Sequence, residues 1–391
     1  MTESPTQSKS LLTPFNLVAG LILAVGAYVA FLRFSSGLAG IGAVGDSAQS
    51  QPWGMLISFN LMCGVPLSAG GFVMGTAVYI FGMKQYRLVV RPAVLVGMIG
   101  YFFAVVALLM DVGRPWRLPY PMVVQYGVTS VLFLVAWHVA LYLSTQFVEF
   151  SPAVFEWLNW KRWRKVAVAV AVGAVIFGVI LSTLHQSALG ALFLITPTKV
   201  HPLWYSPFIG LFFFVSAIAA GICMVILESA LAHRYFREKV EMTTEHLDQI
   251  TIGLGKAASI ALAVYFAIKV IGIAHGNTWH YLASPIGHWF LLELLGFSLL
   301  PCVLFAAGVR ERRPRLIRWA AGLTVLGIIL NRLNVSIITF NLNLPAEQRF
   351  QFHWKEVWLS LAVVMAAVLT YRWAVNRMPV HHKHPLYKTV H

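Results

Sequence analysis

Charge is what this sequence has least of. Asp, Glu, Lys and Arg supply 11% of its 391 residues, and only 14 residues are acidic. A water-soluble domain carries about 25% charged residues. A chain of this length with so few could not coat its surface in water, so most of that surface has to face lipid. Cysteine is scarce as well. Cys63, Cys223 and Cys302 stand singly inside apolar runs, with no Cys-x-x-Cys spacing. That excludes an iron–sulfur cluster or structural zinc held by this chain alone, and leaves three buried structural thiols as the reading. Long polar stretches are missing too, which leaves no room for a soluble domain.

What is present is apolar sequence: 59% hydrophobic residues and a mean hydropathy of +0.74. A helix needs about 20 apolar residues to cross the hydrocarbon core. Ten runs qualify: Phe15 to Phe34, Trp53 to Met83, Pro92 to Met110, Tyr126 to Phe150, Val166 to Leu184, Pro207 to Leu231, Ile250 to Ile273, Pro285 to Val309, Leu316 to Phe340 and Val357 to Ala374. The sequence therefore predicts an all-α integral membrane protein of about ten transmembrane helices. Residues 1–391 form a single polytopic membrane domain, with 1–14 and 375–391 as cytoplasmic end segments. The second run is too long to cross straight, and Pro66 with Gly64, Gly70 and Gly71 is expected to kink or interrupt it. Gly71 and Gly75 form a small-xxx-small step that lets a neighbouring helix come close.

The net charge of +15 does not point to nucleic acid, because the cations sit in short clusters between apolar runs. With the N-terminus inside, the inner side receives Lys9, then Lys84, Arg87 and Arg91, then Lys161, Arg162, Arg164 and Lys165. Arg234, Arg237 and Lys239 follow, then Arg310, Arg312, Arg313, Arg315 and Arg318, and finally Arg372, Arg377, Lys383 and Lys388. The outer side receives Arg33, Arg114, Arg117, Lys199, Arg332, Arg349 and Lys355. This alternation puts both termini in the cytoplasm. The first run exceeds a signal-peptide core in length and has one cation before it, so it is read as a membrane helix.

Ionisable groups inside a bilayer are costly, and they are usually functional or paired. Most of those here gather toward the outer side: Asp111 in Asp111-Val112-Gly113-Arg114-Pro115-Trp116, His185 and Gln186 in Leu184-His185-Gln186-Ser187, and His201 and Trp204 in His201-Pro202-Leu203-Trp204. Lys269 and Glu293 fall at similar depth on consecutive helices and are expected to form a structural ion pair. His138, Glu149 and Glu228 lie deeper or toward the inner side, as candidate members of a proton path. The histidines of the tail, His381, His382 and His384, read as part of a disordered segment rather than a metal site. His185, His275 and His288 share an outer level where one haem is geometrically allowed, although no spacing requires it.

Several motifs in order carry a family resemblance. Pro52-Trp53-Gly54, Ala69-Gly70-Gly71-Phe72, Arg91-Pro92-Ala93, the segments from Asp111 and Leu184 just quoted, His201 to Pro207, and Asn331-Arg332-Leu333-Asn334-Val335-Ser336 resemble the NrfD/PsrC-like family. The likeness is greatest to its HybB branch, the so-called b-type cytochrome subunit of membrane-bound nickel–iron hydrogenase. The resemblance implies paired four-helix bundles and a bacterial inner-membrane anchor without haem or iron–sulfur cluster of its own. Such an anchor exchanges electrons between quinone (menaquinone or ubiquinone) and a ferredoxin-like iron–sulfur subunit on the periplasmic face, with a catalytic or multihaem subunit beyond it. It takes part in the reaction without catalysing the donor's chemistry. It further implies a quinone site around Asp111, Arg114 and His185, in which Asp111 or His185 exchanges protons with the quinone oxygen and Arg114 favours ionised Asp111. Gln186, His201 and Trp204 are added to that site as neighbours. Asn60 and Leu134 stand where the HybB branch carries acids, which removes two groups from the route inward. A haem-bearing cytochrome b and a transporter are the competing readings.

Overall fold

The computed structural model describes residues 13–36, 45, 52–124 and 127–382. Among them are ten helices long and apolar enough to span a bilayer: α1 Pro14–Ser35, α2 Leu56–Ile80, α3 Lys84–Asp111, α4 Val131–Trp157, α5 Lys161–Ile195, α6 Ile209–Tyr235, α7 Thr244–His275, α8 Pro285–Arg310, α9 Pro314–Ile338 and α10 Trp354–Arg377. Each matches one expected run. Several starts are written in the sequence: Thr13, Thr243 and Ser284 accept a backbone N–H from the first turns of α1, α7 and α8, and Pro14, Pro285 and Pro314 occupy first-turn positions.

Helices α2 to α5 close into one four-helix bundle and α6 to α9 into another, while α1 and α10 pair with each other and lean on α2 and α3. The seam between bundles is carried by α2 and α6, the two most enclosed helices. One apolar cluster fills the half of both bundles nearer Thr13 and Met378, called inner below after the expected orientation, and a second fills the opposite, outer half.

Helix α2 is disturbed where Pro66 and the glycines predict it. Its α-helical pieces Gly64–Leu67 and Gly70–Gly75 are separated by a turn at Ser68 and Ala69. Four stretches are wound wider than an α-helix: Leu56–Cys63 and Thr76–Ile80 in α2, Leu292–Leu299 in α8 and Asn334–Ile338 in α9. The Gly71–Gly75 step faces two neighbours, Gly71 lying against the backbone of Val94 in α3 and Gly75 against Val175 in α5. Gly221 of α6 meets the α2 turn. A β-carbon there would stand 2.8 Å from the carbonyl carbon of Ala69 and from the nitrogen of Gly70. Both are backbone atoms that cannot swing away. Gly221→Ala is therefore expected to destabilise the protein by about 1–3 kcal/mol through overpacking, measured as an earlier thermal loss of the monodisperse peak in detergent. An unchanged melting profile would mean that the seam is looser than this contact implies.

Two boundaries differ from expectation. Helix α5 does not stop at Leu184 but runs on to Ile195, because the polar cluster His185-Gln186-Ser187 faces the bundle interior and does not end the helix. The tail is not loose through residue 382. Met378 and Val380 are buried, Arg91 donates to the Pro379 carbonyl at 3.2 Å, and the Glu241 N–H donates to the His381 carbonyl at 3.3 Å. His384, Lys9, Tyr126, Lys383 and Lys388 lie outside the described residues.

Candidate functional site

The six residues expected to share the quinone site stand in three different places. Asp111 is the last residue of α3, half-buried, and accepts no hydrogen bond among the described residues. The cation that acts on it is Arg33 of α1, not Arg114. Arg33 is 2% exposed and donates to the carbonyls of Met110 and Val112 at 2.8 and 2.6 Å, clamping the end of α3. Arg114 follows in an extended turn and points into the exposed surface. The turn Val112-Gly113 carries it away from the helix axis, so it does not pair with Asp111.

The second place is the interior of the first bundle. His185 is fully buried in α5, and neither ring nitrogen has a hydrogen-bond partner among the described residues. Its ring packs 5.6 Å from that of Tyr101, which packs 4.6 Å edge-on against Tyr142. Gln186 donates to the Tyr101 hydroxyl at 3.2 Å and to the Val65 carbonyl at 3.3 Å, and its own oxygen is unpartnered. Tyr101 comes ten residues before Asp111, so about 15 Å of helix separates the level of His185 from Asp111. The structure does not bring Asp111 and His185 together. They are linked only through α3, on which Tyr101, the ring neighbour of His185, recurs with Leu108 and Asp111 at helical spacing.

Inward of His185 the polar groups continue. Ser182 lies one turn down α5, and α4 supplies His138, Tyr142, Gln146 and Glu149, a stripe at intervals of three and four residues. His138 lies close enough to act electrostatically on His185, and Glu149 on Tyr142. Gly178 leaves the space that Glu149 occupies, since a β-carbon there would lie 2.8 Å from the carboxylate oxygen. The Gln146 amide and the Ser182 hydroxyl lie beside the Tyr142 hydroxyl, Ser182 also beside that of Tyr101, and His138 Nδ1 is buried with no hydrogen-bond partner among the described residues. In hydrocarbon an unmet polar group costs several kcal/mol. A column of polar groups is the chemistry of a route that takes a hydrogen-bonding guest or passes protons.

The third place is the second bundle, and here the polar groups satisfy one another. Glu293 accepts from Trp204 Nε1 at 2.7 Å, Asn331 at 2.6 Å and Asn334 at 2.5 Å. Arg332 donates to Asn331 and Ser216, each at 2.7 Å, and lies 3.6 Å over the Phe213 ring. The expected ion pair is absent. Lys269 does not come within bonding distance of Glu293, but sits between the rings of Phe212 and Phe290 at 5.3 and 5.1 Å. Similar depth brings them near each other without a bond, because the carboxylate turns toward α9 and Trp204. His201, whose Nδ1 accepts the Leu203 N–H at 3.2 Å, packs beside Trp204 and Tyr281 in the outer cap of this bundle. Burial holds its imidazole below the usual histidine range. His201 and Trp204 thus belong to this network, not to the His185 cluster.

Residues 44–341 match the family described as "Polysulphide reductase, NrfD". The chain belongs to the NrfD family. It is 50% identical to a protein of Nitratidesulfovibrio vulgaris over 98% of both chains. It is 30% identical to the probable Ni/Fe-hydrogenase 2 b-type cytochrome subunit of Escherichia coli, over 87% of this chain and 86% of the relative. With the menaquinone reductase integral membrane subunit of N. vulgaris it shares 24% identity over 91% of this chain and 88% of that one. This NrfD protein is a multi-pass membrane protein. Its interior column includes Tyr101, Tyr142, Gln146 and Ser182, which reading the sequence for ionisable groups passed over. The 3.6-residue period of polar residues along an otherwise apolar α4 is a signal for Tyr142 and Gln146, whereas Tyr101 of α3 and Ser182 of α5 lie outside it. Of the two departures from the HybB branch, Asn60 is buried and donates to the Leu56 carbonyl at 3.2 Å, and Leu134 lies one turn outward of His138.

Proposed function

We propose that this chain is the quinone-reactive membrane subunit of a respiratory oxidoreductase, passing electrons between the quinone pool and an iron–sulfur partner docked on its periplasmic side. The observation that carries the reading is His185 with both nitrogens free of partners among the described residues, held beside Tyr101 and Gln186 in the first bundle. Quinol oxidation releases two protons with two electrons, and quinone reduction takes up the same. Either direction needs an acid–base group within hydrogen-bond reach of the quinone oxygen. A neutral imidazole offers one donor and one acceptor. In this reading His185 exchanges the proton with the head group, and Gln186 and Tyr101 orient it. Asp111, on the same face of α3 and nearer the outer water, exchanges protons there. The stripe from Tyr142 through Gln146 to Glu149 offers a path inward that survives the loss of acids at positions 60 and 134.

The reading includes a haem-free chain, cytoplasmic termini and residence in the bacterial inner membrane, with quinone as substrate. Isolation of the native complex tests it. An iron–sulfur subunit should co-purify, quinone-coupled turnover should be measurable, and the chain expressed alone should give a flat reduced-minus-oxidised spectrum. A haem band from the chain alone would refute the haem-free part. Absence of any quinone reaction in the intact complex would refute the rest. A cysteine placed at residue 377 should resist an impermeant thiol reagent in intact cells, whereas one at residue 116 should react. The reverse pattern would invert the topology.

A further inference from the structure

The inner half of the molecule holds a group of titratable side chains that the quinone reading leaves unused. Glu228 of α6 is 8% exposed, seven residues before the inner end of its helix. Its carboxylate accepts the hydroxyl of Tyr371 from α10 and stands 3.3 Å from Nε2 of His381 in the tail, which itself lies 3.1 Å from the Tyr371 hydroxyl. Three elements thus bring a carboxyl, a phenol and an imidazole into one triangle, with the neighbouring Ser229 hydroxyl donating to the second carboxylate oxygen at 3.3 Å.

The tail segment that delivers His381 is fastened from several sides. Met378 and Val380 are buried in the inner apolar cluster, and the Arg91 and Glu241 bonds described above hold its backbone. Arg91 is itself fixed by two bonds to Glu156, at 2.9 and 2.8 Å. The charged groups packed around the tail segment are therefore Arg91 of α3, Glu156 of α4 with its second partner Arg164 of α5, and Lys239 and Glu241 from the inner loop beside His382. On its far side Glu228 meets the turn of α2, in a narrow cleft lined by Leu67, Gly70, Ala93 and Val225. Beyond that turn lies the first-bundle column. A β-carbon on Gly97 would strike both the Ser68 carbonyl and the Gln146 amide, at 3.0 and 2.4 Å, so α3 keeps a glycine where the turn and the column meet.

We propose that Glu228, Tyr371 and His381 form an inner proton port, and that the segment 378–382 is its plug. The proposal rests on the quinone-linked reading for its purpose, though its chemistry is independent of it. His381 takes a proton from inner water. The Tyr371 hydroxyl accepts one proton as it gives up another, and the Glu228 carboxylate becomes a carboxylic acid. No electron moves, and each proton lost by one group is gained by the next. With the plug seated, the side chains of His381 and Glu228 are 4% and 8% exposed; with the plug displaced, Glu228 meets water directly.

Infrared spectroscopy of the full chain in lipid nanodiscs tests both halves without any quinone reaction. The Glu228 carboxyl band, assigned by its loss in Glu228→Gln, shifts on transfer to D2O at the rate of proton exchange. Truncation after Arg377 should speed that shift at least about tenfold, and Val380→Asp, which expels the apolar anchor at full length, should do the same. His381→Gln keeps the tail seated and a hydrogen bond available but removes the titrating ring, and should slow the shift at least about tenfold. If neither tail variant exchanges faster, the plug is wrong. If His381→Gln exchanges as fast as wild type, or no band is lost in Glu228→Gln, the port is wrong. Failure of the native complex to react with quinone would count against the preceding section alone, since these rates do not depend on it.

Discussion

His185→Ala, in membranes that retain the assembled complex, should lower quinone-coupled turnover by about two to four orders of magnitude, the range removed when a positioned acid–base group is lost. Electron transfer from the donor to a soluble artificial acceptor should continue, because that path does not need the quinone proton. Removing the side chain empties a site with no exposure to water, and the adjacent Tyr101 keeps its bond from Gln186. Local packing therefore survives well enough for the comparison. Asp111→Asn should act more mildly. It preserves the Arg33 clamp, which holds backbone carbonyls and not the carboxylate, and it removes only the outer proton acceptor. The decisive measurement is the ratio of the quinone-coupled to the artificial-acceptor rate in each variant. If that ratio is unchanged in both, the site does not lie where the His185 cluster is.

The largest effect on stability is expected at Glu293→Ala. Three buried donors, from Trp204, Asn331 and Asn334, converge on this carboxylate. Arg332 and Lys269 lie near it, 1% and 4% exposed. Without the carboxylate both cations are uncompensated in a membrane interior, and breaking one side of a buried charge cluster costs about 3–5 kcal/mol. The variant should fail to accumulate, or melt far earlier in detergent. Lys269→Met should be much milder, because that ammonium makes ring contacts and no bond to Glu293. Adding Lys269→Met to Glu293→Ala should recover part of the loss and no more, since Arg332 remains. Wild-type melting of Glu293→Ala would show that the network carries no stability.

The contrast between the two bundles explains how far the sequence could be read. Ten spans and the weak point of α2 follow from apolar length, Pro66 and its glycines, all of which act locally along the chain. Whether Lys269 and Glu293 touch does not follow, because counting residues gives depth and leaves open which way each side chain turns. The same limit separated Asp111 from His185. An apolar window ended α5 at the first polar cluster, whereas the helix runs on for three more turns with that cluster turned inward. His381 was assigned to a disordered tail by composition, and the buried Met378 and Val380 on either side of Pro379 overruled it.

The wider winding in α8 and α9 sets a rule for how this protein can change length. An α-helix turns about 100° per residue, and a wide turn stores one residue beyond the regular repeat. Deleting a single residue within Leu292–Leu299 would restore ordinary winding there and leave both helix ends able to stay seated in the bilayer. Deleting one from a regular stretch of α6 would instead swing every following side chain by about 100°, turning Glu228 away from Tyr371. Single-residue gaps between this chain and its relatives should therefore fall inside helices, at these four wide stretches, and not only in the loops.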